Sequence, residues 1–229
     1  TACVNRIDEE SEAEIEEGTT PITLSIKMEK ASTKVTSTAF EKGDRMGLFA
    51  TTSSGSIKGK RYIDNLALEY TEGSTLVPKK TVFYPEGDVS LDFISYHPYQ
   101  TEGVAAGTPV LPVSVQIDQS NEKNRAQSDF LVAKAQGITS KTKSVTLEFQ
   151  HKLSKLAISL TPDASTSAND LLKANPRIIA TGLKTSADYN LEDGTFSNLT
   201  GTQDIIASGE WSVKDNKLTG MEFIILPLT

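Results

Sequence analysis

The residues of this chain that could support covalent or acid–base chemistry are one cysteine, two histidines and scattered carboxylates. Cys3 is the only thiol, so an intramolecular disulfide is excluded. A Cys–His nucleophile pair would require this residue near the start of the sequence to reach His97 or His151. Both histidines stand at the ends of strand-like segments and are interpreted as structural. We therefore predict no catalytic residue and do not expect an enzyme.

The acidic residues are better explained by turns and helix caps than by catalysis or metal binding. Two carboxylate pairs fall in polar turn-like stretches, Glu86 with Asp88 and Asp163 with Asp170. Asp44 and Asp118 are turn formers, and no calcium-type loop of alternating Asp and Asn accompanies them. Neither a phosphate-binding glycine loop nor zinc-ligand spacing occurs. The sequence predicts no metal and no cofactor.

Cys3 has a different potential chemistry, which is lipid attachment. An acidic run from Arg6 to Glu17 follows it, a combination typical of a chain whose signal peptide is removed next to a lipidated cysteine. Each buried acyl methylene would contribute about 0.8 kcal/mol, so two or more chains would anchor the protein stably. We predict residues 1–20 to be a lipidated acidic tether. Acidic residues directly behind a lipidated cysteine also resemble the export signal of outer-membrane lipoproteins in Gram-negative anaerobes, and this resemblance implies outer-membrane lipid as the partner. The alternative is a chance cysteine in a frayed terminus.

Charge and hydropathy limit the remaining partners. The 229 residues carry a net charge of -7, with lysines spread among acids, so no basic patch is available for nucleic acid. No stretch approaches the roughly 20 apolar residues of a membrane helix. Threonine and serine are abundant, as in β proteins with exposed hydroxylated faces. These features favour a protein that works outside the cytoplasm.

Apolar residues alternate with polar ones in many short segments, and turn residues recur about every ten positions. The first segment places Ile22, Leu24, Ile26 and Met28 on one face. This pattern predicts an all-β sandwich or barrel, with one short helical turn over Ala168–Ala174. The Ser- and Gly-rich stretch Thr51 to Lys60 is interpreted as an exposed loop, and we expect its removal to leave the fold intact.

Four segments in order carry a more specific resemblance. They are Thr33 to Phe49 with Gly-Asp-Arg-Met-Gly, Tyr84 to Tyr99 with Ser-Tyr-His-Pro-Tyr, Asp118 to Ala133 with Ser-Asp-Phe-Leu-Val-Ala, and Val145 to Leu156 with Phe-Gln-His-Lys-Leu. Together they resemble the fimbrillins, the subunits of type V pili of anaerobic Gram-negative bacteria. The resemblance implies two transthyretin-like β-sandwich domains, 21–161 and 162–229, the second apparently incomplete. It also implies export as a lipoprotein and assembly into an adhesive surface fibre.

The resemblance further implies assembly by donor-strand exchange. A surface protease removes the first strand, and a strand of the neighbouring pilus subunit fills the emptied groove. In this chain the displaced strand would be Pro21 to Glu29, with Ile22, Leu24, Ile26 and Met28 as its groove-filling side chains. Relatives are cut after arginine, whereas the segment after this strand offers only Lys30 and Lys34. Cleavage after either lysine, or no processing, remains open.

The final strand is a second departure from the family pattern. Residues 223–226 are strongly apolar and are not expected on an exposed edge, yet the sequence stops at Thr229. Two explanations fit the apparently incomplete second domain. Either the chain is shortened or truncated, or a strand from elsewhere completes the domain.

The competing function is a non-polymerising cell-surface glycan-binding lipoprotein, whose ligands would be host or bacterial surface sugars. Its aromatic platforms would come from Tyr62, Tyr70, Trp211 or the cluster Tyr96 to Tyr99. Such binding would not need the Pro21 to Glu29 strand.

Overall fold

The computed structural model describes residues 17–29 and 40–227, and this part of the chain is all-β with two short helices. The predicted all-β class is confirmed at this level. The elements are β1 Glu17–Pro21, β2 Leu24–Met28, β3 Arg45–Thr52, β4 Ile63–Tyr70, β5 Thr75–Pro78, β6 Phe83–Pro85, β7 Leu91–His97, β8 Val110–Ser114, α1 Glu122–Ser128, β9 Leu131–Ile138, β10 Val145–His151, β11 Ser154–Leu160, α2 Ala168–Ala174, β12 Ile179–Asn190, β13 Phe196–Ile206, β14 Ser212–Lys214 and β15 Lys217–Ile225.

Seven strands close into a barrel in the order β10-β2-β5-β4-β3-β7-β9, with β9 paired back to β10. Alternation along each strand sends large apolar side chains into one core, which includes Leu48, Phe93 and Leu147, all fully buried. Beside the barrel, β1 pairs with β6. Residues 17–20, predicted as part of the tether, therefore belong to a strand.

The C-terminal half contributes two three-stranded sheets, β11-β15-β14 and β13-β12-β8. Two of these strands, β8 and β11, come from the region predicted as the first domain. They pair with β12 and β15, from the region predicted as the second domain. The predicted boundary after residue 161 thus separates strands that are hydrogen-bonded to each other.

The apolar end of the chain is covered, as expected. β15 lies between β11 and β14, and Phe223, Ile224 and Ile225 are buried. β11 pairs with β15 as far as Ile225. On the other side β14 pairs only with residues 217–219, and the side-chain amide of Gln119 bonds the backbone of Ile224 further along, so the apolar residues do not form an exposed edge.

The segment from Thr51 to Lys60 is not a simple exposed loop, so that interpretation is wrong at its centre. Ile57 is 2% exposed and packs in a core cluster with Phe49 and Leu111. The Glu192 carboxylate accepts hydrogen bonds from Ser56 Oγ at 2.6 Å and from the backbone N–H of Ile57 at 2.8 Å. Removing this segment is therefore expected to open the core.

The predicted helical turn over Ala168–Ala174 is confirmed as α2, which Ser167 caps. The other helix, α1, was not predicted. Its residues are polar apart from Ala126, so no apolar period marks it. Only the cap Asn121 marks its start, where the Asn121 side chain accepts a hydrogen bond from the backbone N–H of Asn124.

Candidate assembly groove

The strand predicted to be exchanged, β2, has a neighbour on each side. It runs parallel to β10, from Leu24 opposite Val145 to Met28 opposite Phe149. On its other side Leu24 faces Leu76 of the antiparallel strand β5. β2 is therefore an internal strand of the barrel, although it lies near the start of the described chain.

Backbone hydrogen bonds hold the segment at both edges. The N–H of Val145 donates to the carbonyl of Thr23 at 2.8 Å, and the N–H of Glu29 donates to the carbonyl of Phe149 at 3.0 Å. Toward the other neighbour, the N–H of Ile26 donates to Ser74 at 2.8 Å. Loss of this segment would leave the N–H of Val145 and the carbonyls of Phe149 and Ser74 without partners.

The four apolar residues predicted to fill the groove all point toward the barrel core. Ile22 and Leu24 are each 3% exposed, Ile26 is 9% exposed, and Met28 packs against the same cluster with partial exposure. Burial of each large aliphatic side chain contributes about 1.5–3 kcal/mol. The strand therefore occupies an apolar channel that would be open to solvent without it.

Polar side chains on the outer face fix the register between β2 and β10. Ser25 Oγ lies 3.1 Å from Thr146 Oγ1, and Lys27 Nζ lies 2.9 Å from Glu148 Oε1. Both pairs are register partners. A shift by one residue would break both pairs and turn the apolar face of β2 outward.

The N-terminal segment also covers β6. Tyr84 of β6 is 1% exposed, and its hydroxyl has no hydrogen-bond partner within the described residues. Burial raises the pKa of this phenol. Nearby, Tyr62 donates its hydroxyl to the carbonyl of Phe83 at 2.8 Å, and its pKa is raised by burial and then by the charge of Glu17.

The predicted lipidation residue Cys3 and the predicted cleavage residues Lys30 and Lys34 lie outside the described residues. Arg45 is described, and it begins β3 as predicted. Its guanidinium stands 4.7 Å from the ring centre of Tyr99, and its carbonyl accepts from the backbone N–H of Tyr99. Arg45 is thus integrated into the fold.

Residues 33–229 match the family described as fimbrillin-like. The chain belongs to this family. A provisionally named fimbrium subunit, Fim1C of Bacteroides uniformis, is 25% identical over 173 residues. That match covers 75% of this chain and 55% of the relative, so the chain spans about half the length of this curated relative.

Two crystal structures have the same fold as this fimbrillin-like chain. One, of a provisionally named cell adhesion protein from Bacteroides uniformis, has a TM-score of 0.61 and 22% identity, covering 91% of this chain and 76% of its own. The other, with the same description, from Bacteroides ovatus, has a TM-score of 0.64 and 18% identity, covering 90% of this chain and 78% of its own.

The histidines of the fimbrillin-like chain lie on β7 and β10, the two strands that flank β9, and each is opposite Leu131 of β9. His97 Nδ1 is 3.0 Å from the carbonyl of Arg45, while His151 Nδ1 is 2.8 Å from the carboxylate of the buried Asp129. Both imidazoles therefore make hydrogen bonds that fit the predicted structural role. Burial is the main cause that lowers the pKa of His97.

The described residues also bear on metal and membrane binding. They contain no group of three or more metal-ligating side chains. Neither of the two helices in this part of the chain has the length and apolarity needed to cross a bilayer.

Sequence reasoning did not identify β10 as the partner of β2, although the sequence holds a signal for it. Both strands alternate in the same way, and their outer faces are complementary, with Ser25 matching Thr146 and Lys27 matching Glu148. The strand β1 was missed because its residues are mostly exposed and lack an apolar alternation.

Proposed function

We propose that this fimbrillin-like chain is a structural subunit of a cell-surface fimbrium that serves adhesion. In this proposal it is exported as a lipoprotein through Cys3, folds into two transthyretin-like β-sandwich units and joins neighbouring subunits by donor-strand exchange. The family and the fimbrium and cell adhesion descriptions of its relatives support the surface and adhesion role.

The observation that carries the assembly step is the position of β2 inside the barrel. Its two buried side chains, Leu24 and Ile26, occupy an apolar channel together with Ile22, which precedes the strand, and its backbone bonds link β5 and β10. Withdrawal of β2 would open the barrel at two strand edges beside an apolar groove. A strand from another subunit would restore both the hydrogen bonds and the burial.

Cleavage after Lys30 or Lys34 would break the covalent link between β2 and the rest of the barrel, so that a strand of another subunit could replace β2. The chain N-terminal to the cut would then be held by non-covalent contacts alone. Replacement by a strand of the next subunit forms a head-to-tail contact, which extends a filament when the rotation does not close. The expected partners are neighbouring subunits and surface ligands of host or bacterial cells.

Limited trypsin digestion of the folded chain, followed by intact mass and light scattering, tests this step. We expect cleavage confined to Lys30 or Lys34 and slow growth into long particles. The variant Lys30→Gln/Lys34→Gln should stay intact and monomeric, while the matched variant Lys42→Gln/Lys143→Gln should behave as the parent. A cleaved parent that remains monomeric contradicts the exchange, and resistance at both sites favours the non-polymerising lipoprotein.

The lipid anchor has its own test. In a Gram-negative host, a precursor that carries a lipoprotein signal peptide should incorporate labelled fatty acid and partition with the outer membrane. Cys3→Ser should lose both properties without changing the stability of the folded part. Equal labelling of both proteins would refute lipidation at Cys3.

A further inference from the structure

A row of hydroxyl side chains crosses the sheet β13-β12-β8. Ser186 of β12 is the register partner of Ser114 on β8 and of Thr200 on β13. Cross-strand partners share one face of a sheet. The adjacent residues Ala187 and Val113 are buried on the opposite face, so the hydroxyl row faces away from the core.

This hydroxyl row forms one wall of a cavity of about 660 Å³. Gln127 from α1 and the loop segment that contains Pro98 and Gln100 line the same cavity. Pro98 and Gln127 also line a neighbouring cavity of about 540 Å³, which contains Tyr99. The two cavities therefore adjoin, and together they form the Pro98 groove.

Several polar side chains in the Pro98 groove have free hydrogen-bonding capacity. Within the described part of the chain, the side-chain hydroxyls of Ser114, Ser186 and Thr200 and the side-chain amide of Gln127 make no hydrogen bond to another residue. Each hydroxyl offers one donor and two acceptor sites, and each amide offers both kinds. Together these groups match a ligand that carries many hydroxyls.

The two parts of the Pro98 groove differ in charge. The neighbouring cavity is lined by three cationic side chains and three carboxylates, which balance one another: Arg45, Lys123, Arg125, Glu41, Asp44 and Asp129. No Lys or Arg lines the cavity over the hydroxyl row, and the one charged residue there is Asp188. The Asp188 carboxylate already accepts a hydrogen bond from Asn198 Nδ2 at 2.7 Å. A phosphate, sulfate or sialic acid would meet this negative charge without a compensating cation, so this cavity favours a neutral ligand.

The neighbouring cavity adds an aromatic surface. Tyr99 and Phe40 line it, and the Arg45 guanidinium stands over the ring of Tyr99. Aromatic rings provide flat apolar contact area, which suits the C–H face of a pyranose. The two cavities together thus combine ring contacts with hydroxyl and amide partners.

We infer that the Pro98 groove is a binding site for a neutral oligosaccharide. Cavities of this size accommodate small-molecule ligands. An extended peptide is disfavoured because strand addition requires a free sheet edge, whereas the hydroxyl row lies on a sheet face. This site is separate from β2 and does not depend on strand exchange.

Saturation-transfer NMR with the full chain tests the inference. The probes are lacto-N-tetraose, maltotetraose and mannotetraose at millimolar concentration, with sialyllactose as the acidic comparison. We expect transfer to at least one neutral probe and little to sialyllactose. Absence of transfer from every neutral probe, or transfer from sialyllactose alone, would overturn the assignment.

Variants then locate the site for the bound probe. Ser114→Ala/Ser186→Ala/Thr200→Val removes the three hydroxyls while keeping strand-forming side chains, and it should weaken binding at least tenfold. Tyr99→Ala should weaken binding by itself. The matched variant Ser154→Ala/Ser159→Ala/Thr181→Val, which changes exposed strand hydroxyls outside the groove, should bind as the parent does. Unchanged affinity in the first triple variant would place the sugar elsewhere and refute the proposal.

Discussion

The side-chain amide of Gln119 pairs with the backbone of Ile224 through two hydrogen bonds. Gln119 Nε2 donates to the Ile224 carbonyl at 2.7 Å, and the Ile224 N–H donates to Gln119 Oε1 at 2.9 Å. Gln119 is fully buried. β14 pairs only with residues 217–219 of β15. At Ile224, beyond that pairing, the Gln119 amide makes the backbone hydrogen bonds that a neighbouring strand would otherwise make. One side chain therefore ties the segment before α1 to the last strand.

Replacing Gln119 by leucine should be strongly destabilising. The substitution keeps a similar volume but leaves the N–H and carbonyl of Ile224 buried without partners, at a cost of about 1–3 kcal/mol. Urea unfolding monitored by fluorescence and circular dichroism measures this change. Gln150→Leu, at an exposed position, should change the free energy of unfolding by less than about 0.5 kcal/mol. Equal changes in the free energy of unfolding for the two variants would show that the two hydrogen bonds of the Gln119 amide do not stabilise the fold.

Arg61 is predicted to be a second critical position. Its side chain is 7% exposed and donates to the carbonyls of Ile57 at 2.6 Å, Val104 at 2.7 Å and Ala105 at 2.8 Å, with its guanidinium over the ring of Phe49. Lysine lacks the planar fork that reaches several carbonyls at once. Arg61→Lys should therefore lower the free energy of unfolding by about 2–4 kcal/mol.

Thermal and urea unfolding measure the effect of Arg61→Lys, and Arg177→Lys provides a control at an exposed arginine. Proteolysis should also begin within residues 51–60 in the Arg61 variant, because that segment loses its attachment. A variant with parental stability and an uncut segment would contradict this assignment.

Local alternation was sufficient to predict the strands but not their partners. Residues 110–117 were predicted as a strand of the first domain, and β8 does form there, yet it pairs with β12 more than 70 residues later. The period of two specifies which face is buried. It does not specify which strand lies alongside, because that choice depends on packing between distant segments.

Isolated buried residues were equally difficult to predict. Ile57 is a single apolar residue in a Ser- and Gly-rich stretch, so no period marks it as buried. Its N–H donates to the carboxylate of Glu192, which is remote in sequence, and its carbonyl accepts from the nearby Arg61 Nε, so contacts made only in the folded chain hold it in place. For the candidate groove, alternation predicted the burial of Leu24 and Ile26, whereas the Pro98 groove arises from three strands, a helix and a loop that only the fold brings together.

Stability should fall as the pH is lowered through the range in which His97 titrates. Burial lowers the pKa of His97, and this cause outweighs the hydrogen bond to Arg45 and the charges of Asp44 and Asp129, which raise the pKa. The unfolded chain, with a histidine pKa near about 6.5, therefore binds a proton more readily than the folded chain. The stability that the neutral His97 side chain gives the folded chain is therefore fully present above about pH 6.5. It is lost as the pH falls toward the lower pKa that His97 has in the folded chain.

Urea unfolding at about pH 7.5 and about pH 5.5 measures this dependence. His97→Asn should show a smaller loss of stability between these two conditions than the parent, whatever its absolute stability. The same pH dependence in both proteins would mean that other groups, not His97, cause it.

Weakening the contacts of β2 should release the N-terminal segment before the rest of the chain unfolds. Leu24 is 3% exposed and lies between Leu76 and Val145, so Leu24→Ala should cost about 2–5 kcal/mol through lost burial and a cavity. The amides of Val145 and Ile26, which donate across the two edges of this segment, should then exchange with solvent faster.

Hydrogen exchange and trypsin susceptibility distinguish this local release from global unfolding. Ser25→Ala on the outer face of the same strand is the matched control, and it should leave exchange nearly unchanged because it removes only a half-exposed hydroxyl contact. Faster exchange confined to β2, β5 and β10 would show that the strand is a separable element of the barrel. Uniformly faster exchange throughout the chain would show instead that β2 unfolds only together with the whole core, and strand exchange without prior cleavage would then be excluded.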